Sequence, residues 1–219
     1  MLPRRIPLAV IMTLCWWRAA PARADFIVIE ATRFYFLEVD NGEQSDETLV
    51  NIAGLGLLQD TVELAVPGMA SSGLHDTWLT TTSFGGHLEA MASTTRSDHF
   101  VWAQVGVVVT FDLETATAIS TFLNITSQGG GSELTAGSFF LTDLETGQYV
   151  IGSDGDVEPV TIVLEPGSYE LVVGFWRIHS GLTGSTTKLG DFEFTIVPAP
   201  GGIAAFGVAL LVRPRRRRD

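Results

Sequence analysis

The feature of this sequence that most restricts its fold is a series of short runs rich in β-branched and aromatic residues, each bounded by Gly, Pro, Asp, Asn or Ser. Such runs predict β-strands. The predicted strands cover residues 26–39 (one or two strands), 48–52, 61–66, 100–112, 118–125, 138–143, 148–151, 160–164, 169–176 and 191–197. Because short strands follow one another with few helix signals, we expect an all-β fold. We expect this fold to be a single antiparallel β-sandwich that resembles a jelly roll.

Two turns between these strands carry strong local signals. Pro166 and Gly167 predict a type II turn, in which Gly167 takes a positive φ. Gly147 is placed to close a short hairpin after residue 143. The segment 67–96 is rich in Gly, Ser and Thr, and its pattern is weaker. There we expect a short helix at 88–93.

The N-terminus has the layout of a secretory signal peptide. Arg4 and Arg5 precede an apolar stretch at 6–17, and the small residues Ala22 and Ala24 stand where signal peptidase cleaves. The apolar stretch is short for a membrane span, which needs about 20 residues. We therefore expect signal peptidase to remove residues 1–24, with an N-terminal membrane anchor as the alternative.

The composition of the remaining chain excludes several functional classes. Residues 25–197 contain four basic and 24 acidic residues, a net charge of −20. A domain this acidic repels nucleic acids and anionic lipid surfaces, so no nucleic-acid partner is expected. The only cysteine, Cys15, lies in the predicted signal peptide. The domain at 25–196 must therefore fold by burying apolar surface, without disulfides or thiolate ligands.

The C-terminal segment 197–219 has three consecutive parts. An elbow rich in proline and glycine comes first, followed by ten small or apolar residues at 203–212 and then by a block of arginines. The elbow residues are Val197, Pro198, Ala199, Pro200 and Gly201, and the arginines are Arg213, Arg215, Arg216, Arg217 and Arg218. Ten residues cross about half of the hydrocarbon core of a bilayer. The segment therefore predicts a short transmembrane helix whose basic end stays in the cytoplasm.

This order of parts resembles the PEP-CTERM sorting signal of Gram-negative bacteria, in a variant with Ala199 where the family usually has Glu. The resemblance covers about a tenth of the chain. It implies that an exosortase-type transpeptidase cuts the elbow in the inner membrane and passes the domain to the cell envelope or extracellular matrix. Many proteins of this kind come from biofilm-forming bacteria. An ordinary C-terminal membrane anchor and a disordered basic tail are the alternatives.

The predicted domain shows no motif of a catalytic centre. Its histidines (His75, His87, His99 and His179) lack the spacing of a zinc protease, and no Gly-x-Ser-x-Gly elbow is present. His75–Asp76 and Asp98–His99 are adjacent in sequence, and neighbouring strand residues point to opposite faces. We therefore expect a protein that is not an enzyme.

Two weaker ligand signals remain. Asp154 and Asp156 lie in an acidic glycine-containing loop, which could contribute to a Ca²⁺ site together with a second loop, since Ca²⁺ takes six to eight oxygens. No other cofactor is expected. Trp176 falls on the opposite phase of its strand from the apolar residues Tyr169, Leu171, Val173 and Phe175. It is therefore the residue most suited to an exposed binding surface.

These features together predict an exported protein of the cell envelope or matrix with a structural or adhesive role. Signal peptidase, the exosortase-type enzyme and, transiently, the inner membrane are its expected partners. The alternative is a carbohydrate-binding module of the cell surface, in which Trp176 would contact extracellular polysaccharide.

Overall fold

The computed structural model describes residues 26–129, 135–180 and 183–197, which form twelve β-strands. The strands are β1 (Phe26–Asp40), β2 (Ser45–Ala53), β3 (Gly56–Val66), β4 (Met69–Leu79), β5 (Ser83–Thr94), β6 (Phe100–Leu113), β7 (Thr117–Gly129), β8 (Thr135–Asp143), β9 (Gln148–Ser153), β10 (Val157–Leu164), β11 (Gly167–Ser180) and β12 (Gly184–Val197). Within these ranges, no helix has the length and apolar character needed to cross a membrane. The predicted signal peptide, residues 198–201 of the elbow and the arginine block lie outside the described residues.

The strands form two six-stranded antiparallel sheets. Sheet A has the order β2-β1-β6-β11-β8-β9, and sheet B has the order β10-β7-β12-β5-β4-β3. From β5 onward the strand order is β6-β11-β8-β9 in one sheet and β5-β12-β7-β10 in the other, as in a jelly roll. Strands β1 and β2 extend sheet A, and β3 and β4 extend sheet B.

The two sheets pack face to face because the strands in the middle of each sheet bury alternate residues. In β6, the residues Val101, Ala103, Val105, Val107 and Val109 are fully buried. An aromatic cluster fills one part of the core around Phe111. Its ring centroid lies 4.6 Å from that of Phe26, 5.4 Å from that of Phe194 and 5.6 Å from that of Tyr169. Since Phe194 belongs to sheet B, this contact joins the sheets and confirms the predicted antiparallel β-sandwich.

The predicted helix at 88–93 is wrong. These residues belong to β5, where Leu88, Ala90 and Ala92 are buried and the residues between them are partly exposed. A period of two identifies a strand and excludes a helix. β5 pairs with β4 on one side and β12 on the other, so partners distant in sequence decide its conformation.

One of the two predicted turns is confirmed and the other is wrong. Gly147 has a φ of 69°, and its N–H donates to the carbonyl oxygen of Asp143 at 2.8 Å. Gly167 instead begins β11 and is absent from the glycines with positive φ. Because β10 lies in sheet B and β11 in sheet A, the chain at Pro166 crosses between the sheets and closes no hairpin.

A buried arginine also joins the two sheets. Arg33 of β1 is 2% exposed, and its Nε donates to Thr77 Oγ1 of β4 at 2.8 Å. Its terminal nitrogens donate to the carbonyl oxygens of Gly54 and Gly56, in the connection from β2 to β3. Burial lowers the pKa of Arg33, although each of its three nitrogens donates one hydrogen bond to these acceptors. The contact fixes the β2–β3 connection against the body of the sandwich.

His75 lies in the same region and is fully buried. Its Nε2 lies 3.2 Å from the carbonyl oxygen of Phe34. A carbonyl only accepts, so Nε2 carries the proton, and Nδ1 has no hydrogen-bond partner among the described residues. Burial lowers the pKa of His75 to about 4, the nearby positive charge of Arg33 adds to this effect, and Asp60 opposes it. The imidazole is therefore neutral at pH 7.

This burial predicts an acid-sensitive fold. The unfolded chain binds a proton at His75 below pH about 6.5, whereas the folded protein binds it only near pH 4. His75 therefore favours the folded state fully above pH about 6.5, and this contribution is lost as the pH falls to about 4. We expect the free energy of unfolding to fall by on the order of 3 kcal/mol from this group, measured by urea unfolding at several pH values.

Two variants test this explanation. His75→Gln removes the buried imidazole, and the control His87→Gln removes a partly exposed imidazole on the outside of sheet B. His75→Gln should flatten the pH dependence of the free energy of unfolding between pH 6.5 and 4, and it should do so more than His87→Gln. If the free energy of unfolding of His75→Gln depended on pH as steeply as that of the unchanged protein, the assignment of this pH dependence to His75 would be wrong.

Candidate functional site

The histidine and carboxylate residues do not form a buried catalytic pair in the described part of the chain. His87 Nδ1 lies 2.9 Å from Asp191 Oδ1, but their side chains are 33% and 60% exposed on the outside of sheet B. His75 points into the core, whereas Asp76 is exposed, as the strand alternation predicts. In the connection between β5 and β6, the exposed Asp98 pairs with Arg96 at 2.6 Å, and its contact to the buried His99 Nε2 is longer, at 3.8 Å.

The side chains of the acidic loop at 153–158 make hydrogen bonds within the loop and to strand β7. Asp156 Oδ1 accepts a hydrogen bond from the backbone N–H of Ile125 at 2.6 Å. Ser153 Oγ accepts from the backbone N–H of Gly155 at 3.1 Å, which is the pattern of a structural turn. In the ranges that the structure describes, no three His, Cys, Asp or Glu residues are grouped to hold a metal ion. Asp154 and Asp156 belong to no such group there, and their contribution to a Ca²⁺ site stays a prediction.

The strongest candidate site is the outer surface of sheet A. We call it the aromatic face, and it consists of Phe34, Phe36, Phe100, Trp102 and Trp176. These residues are partly exposed, and they alternate along β1, β6 and β11 with the buried residues of the core. The predicted outward position of Trp176 is confirmed. Leu49 of β2 is 63% exposed and continues the apolar surface, because it pairs with Phe36 in the strand register.

Ring contacts join three of the five residues of the aromatic face. The ring of Trp102 meets Phe36 edge-on at a centroid distance of 5.3 Å and Phe100 at 6.5 Å. The ring of Phe34 lies over Gly106, since a Cβ atom at Gly106 would be only 2.5 Å from Phe34 Cζ. The glycine thus allows an aromatic ring to pack flat on the sheet, and Phe34 is held in place without a cavity beneath it.

Polar side chains are interleaved with these rings. Gln104 stands between Phe36 and Trp176, because the register pairs it with Phe36 on β1 and with Trp176 on β11. Glu38 pairs with Trp102 on one side and with Glu47 on the other. The face therefore offers aromatic surface together with one amide and two carboxylates, which is the combination typical of ligand sites with a few polar groups.

Trp102 contains an unsatisfied donor. Its Nε1 is buried and has no hydrogen-bond partner among the described residues. A buried N–H without an acceptor costs about 1–3 kcal/mol. Of the described residues on the aromatic face, Trp102 is the one with a buried, unpaired donor.

The sequence identified Trp176, but it did not indicate that Phe34, Phe36, Trp102 and Gln104 share its surface. The available signal was strand phase, since Phe34 and Phe36 alternate with the buried residues Tyr35 and Leu37. Phase shows which residues of one strand share a face. It does not show that β1 and β11 are both neighbours of β6, and that arrangement brings these residues together.

Comparison with known proteins places the chain in no established group. No known family and no curated protein match it. Among solved structures, the GH31 α-xylosidase from Xanthomonas citri has 11% identity and a TM-score of 0.20. Two infectious bursal disease virus structures, of the Gt and Gx strains, have 12% and 14% identity and a TM-score of 0.18.

These partial likenesses support no inference about activity or ligand. The matches cover 78%, 87% and 91% of this chain, in the order xylosidase, Gt strain and Gx strain. The chain spans only 28% of the xylosidase, compared with 73% and 70% of the two virus chains.

The packing of Phe34 on Gly106 predicts different effects for two glycines of this face. In Gly106→Ala, the new Cβ would lie 2.5 Å from Phe34 Cζ and 2.7 Å from the carbonyl oxygen of Val173. We expect a loss of about 1–3 kcal/mol in the free energy of unfolding. In Gly174→Ala, the nearest atom would be 3.6 Å away, so stability should stay equal or rise by up to about 1 kcal/mol. Urea unfolding measures both, and equal losses in both variants would contradict the packing.

Proposed function

We infer that this protein is an exported, non-enzymatic β-sandwich that is sorted to the cell envelope or extracellular matrix and has an adhesive or structural role there. The observation that carries the proposal is the order of parts in the chain. An acidic β-sandwich without cysteine follows a signal-peptide pattern and precedes an elbow, an apolar stretch and an arginine block. This order resembles that of exosortase substrates.

The end of β12 supports a processing site at the elbow. β12 runs to Val197 and pairs along its length with β7, where Val197 is opposite Ala118. Pro198 follows directly, and a proline removes a backbone donor and restricts the residue before it. Cleavage in 198–201 would therefore leave every residue of the sandwich in the mature protein.

The adhesive role is favoured over a purely structural one by the aromatic face. Partly exposed rings that are contiguous on one surface mark interaction sites in soluble proteins. Carbohydrate binding at the cell surface, the alternative predicted from Trp176, uses the same residues. It is the form of adhesion that this surface chemistry favours.

Sorting can be tested by deleting residues 198–219, which leaves β12 intact. In a Gram-negative host that carries an exosortase-type enzyme, the full chain should lose its arginine block and reach the outer envelope or medium. The chain that lacks residues 198–219 should not be cleaved by this enzyme. Cell fractionation and the mass of the mature protein measure both outcomes.

The matched control replaces Pro198 and Pro200 with Ala and keeps the apolar stretch and the arginines. This variant should accumulate uncleaved in the inner membrane. Equal release of all three proteins, with the arginines retained in the mature full-length chain, would refute the sorting proposal.

A further inference from the structure

We propose that the aromatic face binds a neutral polysaccharide, whose chain lies across the strands of sheet A from Phe36 over Gln104 to Trp176. This inference specifies the ligand of the proposed adhesive role. Its binding experiment uses purified protein, so a failure of sorting and a failure of binding are separate results.

The geometry of the face favours an extended ligand with a repeating structure. Phe36, Gln104 and Trp176 lie opposite one another on the adjacent strands β1, β6 and β11. Since neighbouring strands are about 4.8 Å apart, Phe36 and Trp176 are separated by about 10 Å. A chain that crosses the strands thus meets an aromatic ring, an amide and a second aromatic ring in succession.

The chemistry of these side chains matches that of a pyranose ring. One face of a pyranose carries mainly C–H groups and packs against an aromatic ring, while its hydroxyl groups project around the edge. The Gln104 amide both donates and accepts hydrogen bonds, so it suits hydroxyl groups in either orientation. Glu38 and Glu47, opposite each other beside Trp102, accept hydrogen bonds from hydroxyl groups.

Charge excludes the acidic alternatives. The chain from 25 to 197 carries a net charge of −20, and Glu38 and Glu47 border the aromatic face itself. Acidic polysaccharides and anionic lipid headgroups would be repelled from it. A second copy of this chain would bring an equal negative charge to the same surface. A neutral hydroxylated polymer is not repelled by this negative charge.

The unpaired indole N–H of Trp102 is a second, independent observation that favours a hydroxylated ligand. Its buried Nε1 has no acceptor among the described residues, whereas the rings of Phe36 and Phe100 pack against its indole. The hydroxyl oxygens of a polysaccharide are acceptors. One that approaches beside Glu38 would accept this N–H after a rotation of the indole ring.

The test titrates the purified chain with a soluble neutral β-glucan and with polygalacturonate, an acidic polymer, by calorimetry and affinity electrophoresis. We expect binding to the neutral polymer alone, with an affinity that changes little between low and high salt, because no ion pair is involved. Trp176→Ala and Phe36→Ala should each weaken binding by about tenfold. Trp176→Phe should retain most of the affinity, because it keeps an aromatic ring.

Trp78→Ala is the matched control, because Trp78 is 40% exposed on the outside of sheet B, where it packs against Gly85. It should bind like the unchanged protein, and urea unfolding verifies that every variant is folded. No binding to the β-glucan, equal losses in Trp78→Ala and Trp176→Ala, or a preference for polygalacturonate would overturn the proposal. Concentration-dependent dimerisation that Trp176→Ala abolishes, without glucan binding, would assign the face to a second copy instead.

Discussion

The structure depends on the alternation of side chains in the strands at the centre of sheet A, β1, β6 and β11. One side of these strands must fill the space between the sheets, where each buried Val, Leu or Phe contributes about 1.5–3 kcal/mol. Phe111 is the clearest example, because it contacts aromatic rings from both sheets. With no cysteine in residues 25–197, apolar burial has no disulfide to assist it. Arg33 adds a polar link between the sheets where the chain passes from β2 to β3.

The same alternation positions the aromatic face. Once Tyr35, Val105 and Phe175 are buried in the core, Phe36, Gln104 and Trp176 must point outward, because a strand residue and its neighbour lie on opposite faces. The core thus holds the aromatic residues at fixed spacing, which would reduce the entropy lost in the proposed binding. The outside of sheet B differs in character. Across its strands the register brings together Gln59, Asp76, His87, Asp191 and Asn124, which form a polar row.

Local sequence patterns predicted the sandwich and most strands, because β-branched and aromatic runs carry a strong signal. They failed at 88–93, where Leu88, Ala90 and Ala92 lack the branching at Cβ that favours strands, and β4 and β12 hold them in a strand. They also failed at Gly167, since a Pro-Gly pair does not reveal whether the next strand joins the same sheet. The outward position of Trp176 followed from strand phase. Its association with Phe36 and Gln104 did not, because it depends on the pairing of β1 and β11 with β6, which are far apart in sequence.

We propose that the alternation of side chains in sheet A, which buries one side of its strands in the core, places on the other side an aromatic surface that binds a neutral glycan. The most direct test of this proposal is a crystal structure of the purified protein with a bound neutral oligosaccharide, in a lattice that leaves this surface open. We expect sugar rings stacked on Phe36 and Trp176, with hydroxyl groups hydrogen-bonded to Gln104. An oligosaccharide seated on sheet B or at the sheet edges, with the surface around Trp176 empty, would contradict it.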